Sequence, residues 1–274
     1  MWAAVALLGA AAALRAADRP PLAFGVLNQR SIALTAEYWN PILDYVSKKS
    51  GVPLRLKLGR TAAETTAMTI RGEFSFVYTN HLFTPERATL GYRVVARPDT
   101  QGIQGIVIVP DGSEVRRLAD LEGKSVAFAS KEAFVGYWLP MDALLRAGIT
   151  IRPVFAGNQE GALAQLTAGT VAAAAVNASI ARDYARREKL VTRVVWTSES
   201  YPDLCVMAAP SVSQGDAVAV QGALTGMAAG EEGRRVLGVS ASALSLAGPV
   251  GFVPASDREY EIYRRFYRTT AVKD

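Results

Sequence analysis

Residues 125–140 read SVAFASKEAFVGYWLP. The first four residues are small or apolar, as in a buried strand, and the residues from Ala133 onward resemble a helix start that follows a short loop. A strand that leads through a loop into a helix is typical of α/β folds. The free backbone N–H groups at such a helix start commonly hold an anion. This stretch therefore predicts an α/β fold with a ligand site where the helix begins.

The side chains that usually help to bind an anion are absent from this helix start. Ala133, Phe134 and Val135 offer no hydroxyl group, and the carboxylate of Glu132 precedes them. A carboxylate at short range repels an anion, and an anion removed from water needs several donor contacts. We therefore expect this loop to have the backbone of an anion site and to recognise a different ligand.

Short apolar runs alternate with helical patterns in the first part of the chain. The predicted order is strand 22–27, helix 36–50, strand 54–58, helix 62–71 and strand 74–78. Thr35 and Thr61 are expected to cap the two helices, and Gly51 is expected to end the first one. Pro41 falls inside that first helix and predicts a kink or a late helix start.

A second series of strands and helices follows, and a third group of elements ends the chain. Predicted strands lie at 106–109, 125–128, 153–155, 171–176 and 191–196, with helices up to 147 and at 160–168 and 179–189. The last group comprises strand 205–208, helices 216–229 and 231–237, and a terminal helix capped at 256–259. Two α/β units joined by extended segments predict two lobes with a cleft between them, where small molecules bind.

Composition narrows the class of protein. The chain has 274 residues, of which 50% are hydrophobic, so it can bury a large core. Residues 2–14 are almost wholly apolar and have the length of a signal-peptide core, so residues 1–17 are predicted to be an export signal. An uncleaved anchor and a misplaced start are the alternatives. The net charge of +5 comes from basic residues interleaved with acidic ones, which argues against nucleic-acid binding.

Motifs for catalysis and metal binding are missing from the sequence. His81 is the single histidine and Cys205 the single cysteine. No nucleophile elbow, P-loop, dinucleotide fingerprint, zinc-protease motif or calcium loop is present. We therefore predict a protein that is not an enzyme and has no cofactor, no metal site and no internal disulfide.

Four collinear phrases carry a resemblance to a known family. They are residues 24–26 (FGV), 39–45 (WNPILDY), 118–124 (LADLEGK) and 251–254 (GFVP). Together they resemble the phosphate/phosphite/phosphonate (PhnD-like) periplasmic solute-binding proteins of ABC transporters. The resemblance implies an α/β fold of the type II periplasmic-binding-protein class, with two lobes that close on a ligand and a hinge of two crossing strands.

The resemblance also implies a domain organisation, partners and a location. Lobe 1 would comprise residues 22–105 plus 205–274, and lobe 2 would comprise residues 106–204. The protein would be a monomer in the periplasm of a Gram-negative bacterium. Its partners would be a small-molecule ligand and an inner-membrane transporter.

The sequence departs from the family where the ligand is expected to bind. Phosphonate binders of the family have a Ser-Thr-Ser run where this chain has residues 133–135, and a histidine where it has Asn158. Aminophosphonate binders have acids aligned with Ser179 and Leu204, and tyrosines at or beside Thr61 and Thr79. Each of these side chains is replaced, so we expect few acids for an ammonium group and few donors for an anion.

The remaining candidates indicate a cleft with apolar walls and neutral polar groups. The predicted ligand-binding residues are Tyr78, Asn80, Glu132, Phe134, Val135, Tyr137, Asn158 and Asn177. They favour an apolar or amphipathic ligand such as a sterol, a hopanoid or another lipid. Burial of Phe134 in a core, and a structural role for Tyr78 at a strand end, stay open alternatives.

Two other functions remain as alternatives to lipid binding. Backbone amides at the helix start survive any substitution, so the first alternative is binding of a phosphonate, a phosphate or another oxyanion. The second is a sensory protein that presents its ligand to a receptor kinase.

Overall fold

The computed structural model describes residues 19–273. The predicted signal peptide lies outside the described residues. Within them, eleven strands form two sheets that are flanked by helices. No helix in this part of the chain is long and apolar enough to cross a membrane. The α/β class predicted from the sequence is confirmed.

The first sheet has six strands and forms the core of the first lobe. Its spatial order is β11-β4-β10-β3-β1-β2. In chain order the strands are β1 (Leu22–Val26), β2 (Leu54–Lys57), β3 (Phe76–Thr79), β4 (Arg93–Pro98), β10 (Cys205–Ala208) and β11 (Phe252–Pro254). β1 is parallel to both β2 and β3, whereas β10 runs antiparallel to β3 and β4. The chain therefore returns to complete this sheet after it has built the second one.

The second sheet has five strands in the order β7-β6-β8-β5-β9. They are β5 (Gly105–Pro110), β6 (Ser125–Phe128), β7 (Arg152–Phe155), β8 (Ala173–Asn177) and β9 (Thr192–Thr197). β6 is parallel to β7 and β8, and β5 is antiparallel to β8 and β9. Two apolar clusters, one on each face of this sheet, form the core of the second lobe.

Helices cover both sheets. They are α1 (Ile32–Ser50), α2 (Ala62–Ile70), α3 (Pro85–Ala88), α4 (Leu139–Arg146), α5 (Gln159–Thr167), α6 (Ala178–Glu188), α7 (Gln214–Thr225), α8 (Glu231–Ala243) and α9 (Glu261–Thr269). Short 3₁₀ turns lie at Leu118–Leu121 and Asp257–Tyr260.

Two extended segments cross between the lobes, one from β4 to β5 and one from β9 to β10. They pair at a single antiparallel bridge, in which Ile103 and Tyr201 exchange backbone hydrogen bonds of 2.7 and 2.9 Å. This pairing is the hinge of two crossing strands that the family resemblance implied. The residue bounds proposed for the lobes stay a prediction.

Local signals at the helix ends were predicted with mixed success. Thr61 caps α2 by accepting a hydrogen bond from the Glu64 amide, and Gly51 ends α1 with a φ of 71°. The prediction that Thr35 caps α1 was wrong. The cap is Ser31, four residues before Thr35. Its hydroxyl accepts a hydrogen bond from the Leu34 amide at 3.3 Å.

The stretch at residues 125–140 contains an unpredicted π-helical turn. Phe134–Trp138 form this turn, and the Trp138 amide donates to the Ala133 carbonyl at 3.1 Å. The turn lies so close to β5 that a side chain at Gly105 would collide with the Val135 carbonyl. Phe134 is the first residue of this π-helical turn.

Phe134 is buried between the lobes, with 1% of its surface exposed. Its ring lies 4.2 Å from the Tyr263 ring, 4.8 Å from Tyr201, 5.2 Å from Phe266 and 5.6 Å from Tyr267. We call these five rings the interlobe aromatic cluster. Three of them lie on α9, so a second-lobe loop and the C-terminal helix share one apolar contact.

The C-terminal segment adds a polar contact to the same side of the molecule. Asp142 on α4 accepts hydrogen bonds from the Thr270 hydroxyl at 2.9 Å and from the Ala271 amide at 2.7 Å. These bonds, together with an ion pair to Arg146, hold the pKa of Asp142 below its usual range despite partial burial, which acts to raise it. The last residues of the described chain therefore bind to the second lobe.

We expect Phe134→Ala to lower the free energy of unfolding by about 3 kcal/mol, because it empties a buried aromatic site. Urea unfolding followed by circular dichroism measures the loss. Phe155→Ala is the matched control, because Phe155 is 41% exposed and its removal should cost clearly less. Equal losses in the two variants would contradict the role assigned to Phe134.

His81 gives a second prediction, on the dependence of stability on pH. Burial, assisted by Arg87, lowers the pKa of His81 from 6.5 to about 3. Its Nδ1 atom lies 2.8 Å from the Thr66 hydroxyl. Below pH 6.5 the unfolded chain takes up a proton that the folded chain refuses, so stability falls as the pH drops from 6.5 toward 3.

We expect His81→Asn to remove this component, which amounts to about 2 kcal/mol between neutral pH and about pH 5. Asparagine can keep a hydrogen bond to Thr66 and has no charge to acquire. Urea unfolding of both proteins over this range is the measurement. A variant that loses as much stability as the wild type would show that His81 is not the group responsible.

Candidate functional site

A cavity of about 530 Å³ lies between the lobes. Its volume is within the range of small-molecule sites. The first lobe, the crossing segments and the second lobe each supply part of the wall. Among the residues that line it are Arg30, Tyr38, Trp39, Tyr78, Asn177, Ser179, Asp183 and Asp203, together with Leu244 and residues 246–250.

The first lobe supplies an aromatic wall. The Trp39 ring lies 4.8 Å from the Tyr78 ring, 5.6 Å from the Tyr38 ring and 6.0 Å from the Phe252 ring. Tyr38 and Trp39 lie on α1, where Thr35 shares their face at helical spacing. The hydroxyl groups of Tyr38 and Tyr78 make no hydrogen bond to any residue between 19 and 273. This wall therefore offers ring surface and polar groups that remain available to a ligand.

A buried charge network joins the lobes beside the cavity. Arg30 of the first lobe contacts Asp183 on α6 at 3.1 Å and Glu160 on α5 at 3.9 Å. Asp183 also pairs with Arg186 at 2.6 Å, and Glu160 with Arg187 at 2.9 Å. Because Arg30, Asp183 and Glu160 are each largely buried, this network links the two lobes in a water-poor environment.

Backbone contacts also join the lobes at this edge. The Gln159 amide donates to the Gln29 carbonyl at 3.1 Å, and the Ala62 amide donates to the Gly157 carbonyl at 3.2 Å. The structure is therefore a closed arrangement, in which first-lobe loops bind the starts of second-lobe elements.

Asp203 is a second acidic residue of the cavity, in the crossing segment before β10. One carboxylate oxygen accepts from the Thr100 hydroxyl at 3.0 Å, and the other accepts from the Leu204 amide at 2.7 Å. No ion pair to Asp203 forms among residues 19–273. Burial raises the pKa of Asp203, and its hydrogen bonds and the charges of Arg97 and Arg30 only partly offset this effect.

The pKa values of two tyrosines of the cavity wall, Tyr38 and Tyr78, are also shifted by burial. Burial raises the pKa of Tyr38 to about 12, the charge of Arg30 opposes this effect, and the charge of Asp203 adds to it. Burial also raises the pKa of Tyr78, again with a contribution from Asp203. The carboxylate and the two phenol rings therefore share one electrostatic environment at the cavity wall.

The second lobe contributes the start of α6. Asn177 caps this helix by accepting from the Ser179 amide at 2.8 Å. The Ala178 amide donates to the Gln104 carbonyl at 3.0 Å. These first amides of α6 are already bonded within the protein, so they are not free donors for an anion.

A loop between α8 and β11 covers the cavity, and we call residues 244–250 the roof segment. All of its residues except Ser245 line the cavity. The Ser245 carbonyl accepts a hydrogen bond of 3.0 Å from Arg186 on α6. The roof segment therefore connects the first-lobe part of the chain with the second lobe above the site.

A second cavity lies near the helix start that the sequence singled out. Its volume is about 20 Å³, which suffices for about one water molecule. Asn80, His81, Phe134, Val135 and Gln159 are among the residues around it. The predicted ligand site at residues 130–136 is therefore almost filled by protein side chains.

The structure divides the predicted site residues among three places. Tyr78 and Asn177 line the large cavity. Asn80, Phe134 and Val135 line the small one, where Asn80 donates to the Tyr263 hydroxyl at 3.3 Å.

The other three predicted residues line neither cavity. Glu132 has one carboxylate oxygen that is buried and makes no hydrogen bond within the described chain. Tyr137 packs against Phe128 at 5.3 Å and Phe155 at 5.6 Å. Asn158 caps α5. The ligand-binding roles of all eight residues stay predictions.

Sequence reasoning missed the charged part of the large cavity. Two acids, Asp183 and Asp203, line it, and neither was among the predicted ligand-binding residues. Asp183 lies within a helix that reads as a solvated charged face, and Asp203 lies in a segment without periodicity. Sequence reasoning also missed Trp39 as a cavity residue, although Thr35 lies one helical turn before it and lines the same cavity.

Comparisons with known proteins agree on one family. A family model described as "ABC transporter, phosphonate, periplasmic substrate-binding protein" matches residues 24–260. No curated protein sequence matches the chain. PhnD1 from Prochlorococcus marinus, solved in complex with methylphosphonate, is 15% identical with a TM-score of 0.76, covering 90% of this chain and 97% of that one.

Two further structures have the same fold. A binding protein component of an ABC phosphonate transporter from Pseudomonas aeruginosa is 14% identical, with a TM-score of 0.74 and coverage of 92% and 88%. The aliphatic sulphonate binding protein SsuA from Escherichia coli is 15% identical, with a TM-score of 0.61 and coverage of 92% and 86%. With the two-lobed α/β fold and the cavity between its lobes, these matches show that the chain belongs to the family of periplasmic substrate-binding proteins of ABC phosphonate transporters.

Proposed function

We propose that this protein captures a small solute in the 530 Å³ cavity and delivers it to the membrane components of an ABC importer. The observation that carries the proposal is the composition of the cavity wall. First-lobe residues such as Trp39 and Tyr78, and second-lobe residues such as Asn177 and Asp183, line the same space. A solute held there contacts both lobes at once.

Such a site couples binding to closure. Contacts with both lobes exist only when the lobes are together, so a bound solute shifts the population toward the closed arrangement. The Arg30 ion pairs and the backbone hydrogen bonds of Gln29 and Ala62 also join the first lobe to the second. They stabilise the closed arrangement that the transporter would recognise. The cavity is formed within one chain, which fits the predicted monomer.

The class of solute is the finer part of the proposal. The family model and the solved phosphonate-binding structures support the oxyanion alternative better than a sterol, hopanoid or other lipid. No comparison supports a lipid ligand. An oxyanion would not fit the small cavity beside Phe134, so it would have to use the large cavity, where Arg30 is the cationic lining residue.

The test of the site uses a variant that fills the cavity. We expect Ser179→Phe to abolish solute binding, because Ser179 lines the cavity and a phenyl ring would occupy its volume. Native mass spectrometry of protein purified from its own host would detect the bound solute in the wild type and its absence in the variant. Titration with methylphosphonate, phosphate and a sterol then assigns the class.

Ser211→Phe is the matched control, because Ser211 is exposed and lies outside the cavity. This variant should retain the bound solute. A solute that stays bound to Ser179→Phe would place the binding site elsewhere and contradict the proposal.

The Arg30 network gives a prediction about closure itself. We expect Arg30→Gln without added solute to populate a more open arrangement, because Asp183 and Glu160 keep their second-lobe partners and lose the cation from the first lobe. Small-angle X-ray scattering should show a larger radius of gyration. Arg60→Gln is the control, because Arg60 is 89% exposed and pairs only with Glu64 of its own lobe. An unchanged radius for Arg30→Gln would mean that the network does not hold the lobes together.

A further inference from the structure

We infer that the roof segment recognises a hydrocarbon group of the solute, with Leu246 and Val250 as its specificity-determining residues. The solute is therefore larger than phosphate or methylphosphonate. The roof residues contact the solute only if it lies in the large cavity between the lobes, so the inference rests on the proposed function.

The large cavity offers more space than a small oxyanion fills. Its volume of about 530 Å³ is typical of sites that enclose drug-sized molecules. Methylphosphonate has a single carbon atom and would leave most of this space to water. Water beside an apolar wall is poorly held, and an apolar group that displaces it gains affinity. The chemistry of the wall around the remaining space therefore decides what else the solute carries.

The roof segment bounds part of this space with apolar side chains. Its sequence is LSLAGPV, and Ser245, which has its single hydroxyl group, is the one residue that does not line the cavity. The segment therefore lines the cavity without any charged, amide or hydroxyl side chain. A charged part of the solute has to find its partners on other walls, because burial beneath this segment would remove water and supply no polar side chain in return.

The larger side chains of the roof segment lie outside the cores of both lobes. Leu244 has 5% of its surface exposed, and Leu246 and Val250 are half-buried. None of the three belongs to the apolar core clusters formed by residues 19–273. All three line the cavity. Their apolar surface is therefore available to a solute.

Contacts at two points hold the segment over the cavity. At one point, the same guanidinium nitrogen of Arg186 donates to the Ser245 carbonyl at 3.0 Å and to the Asp183 carboxylate at 2.6 Å. At the other, the chain continues into Phe252, whose ring lies 6.0 Å from the Trp39 ring. Phe252 and Trp39 line the cavity as well. The apolar surface of the roof segment therefore continues onto these two rings, and together they can enclose a hydrocarbon group.

The hydrocarbon group can belong to an anionic or to a neutral solute, and two series of probes distinguish these sources. Methylphosphonate, propylphosphonate and hexylphosphonate share one anionic group and differ in chain length. Methanol, 1-propanol and 1-hexanol repeat the same chains with a neutral group. Within each series, only the apolar part changes.

The experiment measures the affinity of the wild-type protein for both series, by calorimetry for the phosphonates and by ligand-observed NMR titration for the alcohols. Each methylene group that becomes buried should tighten binding by about fourfold. We expect the hexyl compound of at least one series to bind at least about 30-fold tighter than its methyl compound. The series that contains the tighter hexyl compound identifies the source.

Leu246→Asn should lower the preference for the hexyl over the methyl compound at least about tenfold, because it replaces apolar surface by an amide of similar size. Val250→Thr keeps the shape of the side chain and should lower the same preference about threefold. Leu145→Asn is the matched control, because Leu145 is 45% exposed and lies outside the cavity. Circular dichroism of the three variants shows that they are folded.

Three results would overturn the inference. They are an affinity that does not rise with chain length in either series, no binding of either hexyl compound, and an unchanged chain-length preference in Leu246→Asn and Val250→Thr.

The proposed function is judged separately by the solute that copurifies from the host. A solute that lacks a hydrocarbon group and is lost from Ser179→Phe would remove the inference about the roof segment and support the transport role. A solute that stays bound to Ser179→Phe would remove both proposals.

Discussion

The position of the Phe134 ring constrains the rest of the interface between the lobes. The ring comes from the second lobe and lies within 5.6 Å of four rings, three of which belong to the C-terminal helix. A phenyl group with 1% exposure cannot leave this place without exposing a large apolar surface. Three other features lie near the ring: the π-helical turn, the close approach of that turn to Gly105, and the hydrogen bonds from the C-terminal segment to Asp142.

Because the Phe134 ring fills the space beside the helix start, the large cavity between the lobes lies elsewhere. The helix start at residues 130–136, which the family resemblance marks as the anion position, retains a cavity of about 20 Å³. The space between α1, α6 and the roof segment retains about 530 Å³. The chemistry of that larger space is mixed, because an aromatic wall meets a buried ion-pair network and the carboxylate of Asp203. A transport protein can use such a wall to select a solute by charge as well as by size.

Much of the fold was predictable because its signals are local. Apolar runs marked most of the strands, and Thr61 and Gly51 marked helix ends through side-chain size and backbone geometry. The prediction that Thr35 caps α1 was wrong because Ser31, one helical turn earlier, also has a hydroxyl group. A single sequence does not show which of the two residues caps the helix. β4 and β11 were missed because both contain proline and form edge or near-edge pairs whose partners are distant in sequence.

By itself the sequence determined the alternating α/β pattern, the family resemblance and the absence of hydroxyl groups at residues 133–135. Periodicity, capping and composition are properties of neighbouring residues, so one chain suffices to read them. Only the tertiary structure decided that Phe134 packs against α9 and that Arg30 meets Asp183. It also decided that Asp203 lines the same cavity as Tyr38 and Trp39, which lie more than 160 residues earlier in the chain. Those pairings depend on where the crossing segments return the chain, and no local pattern encodes that distance.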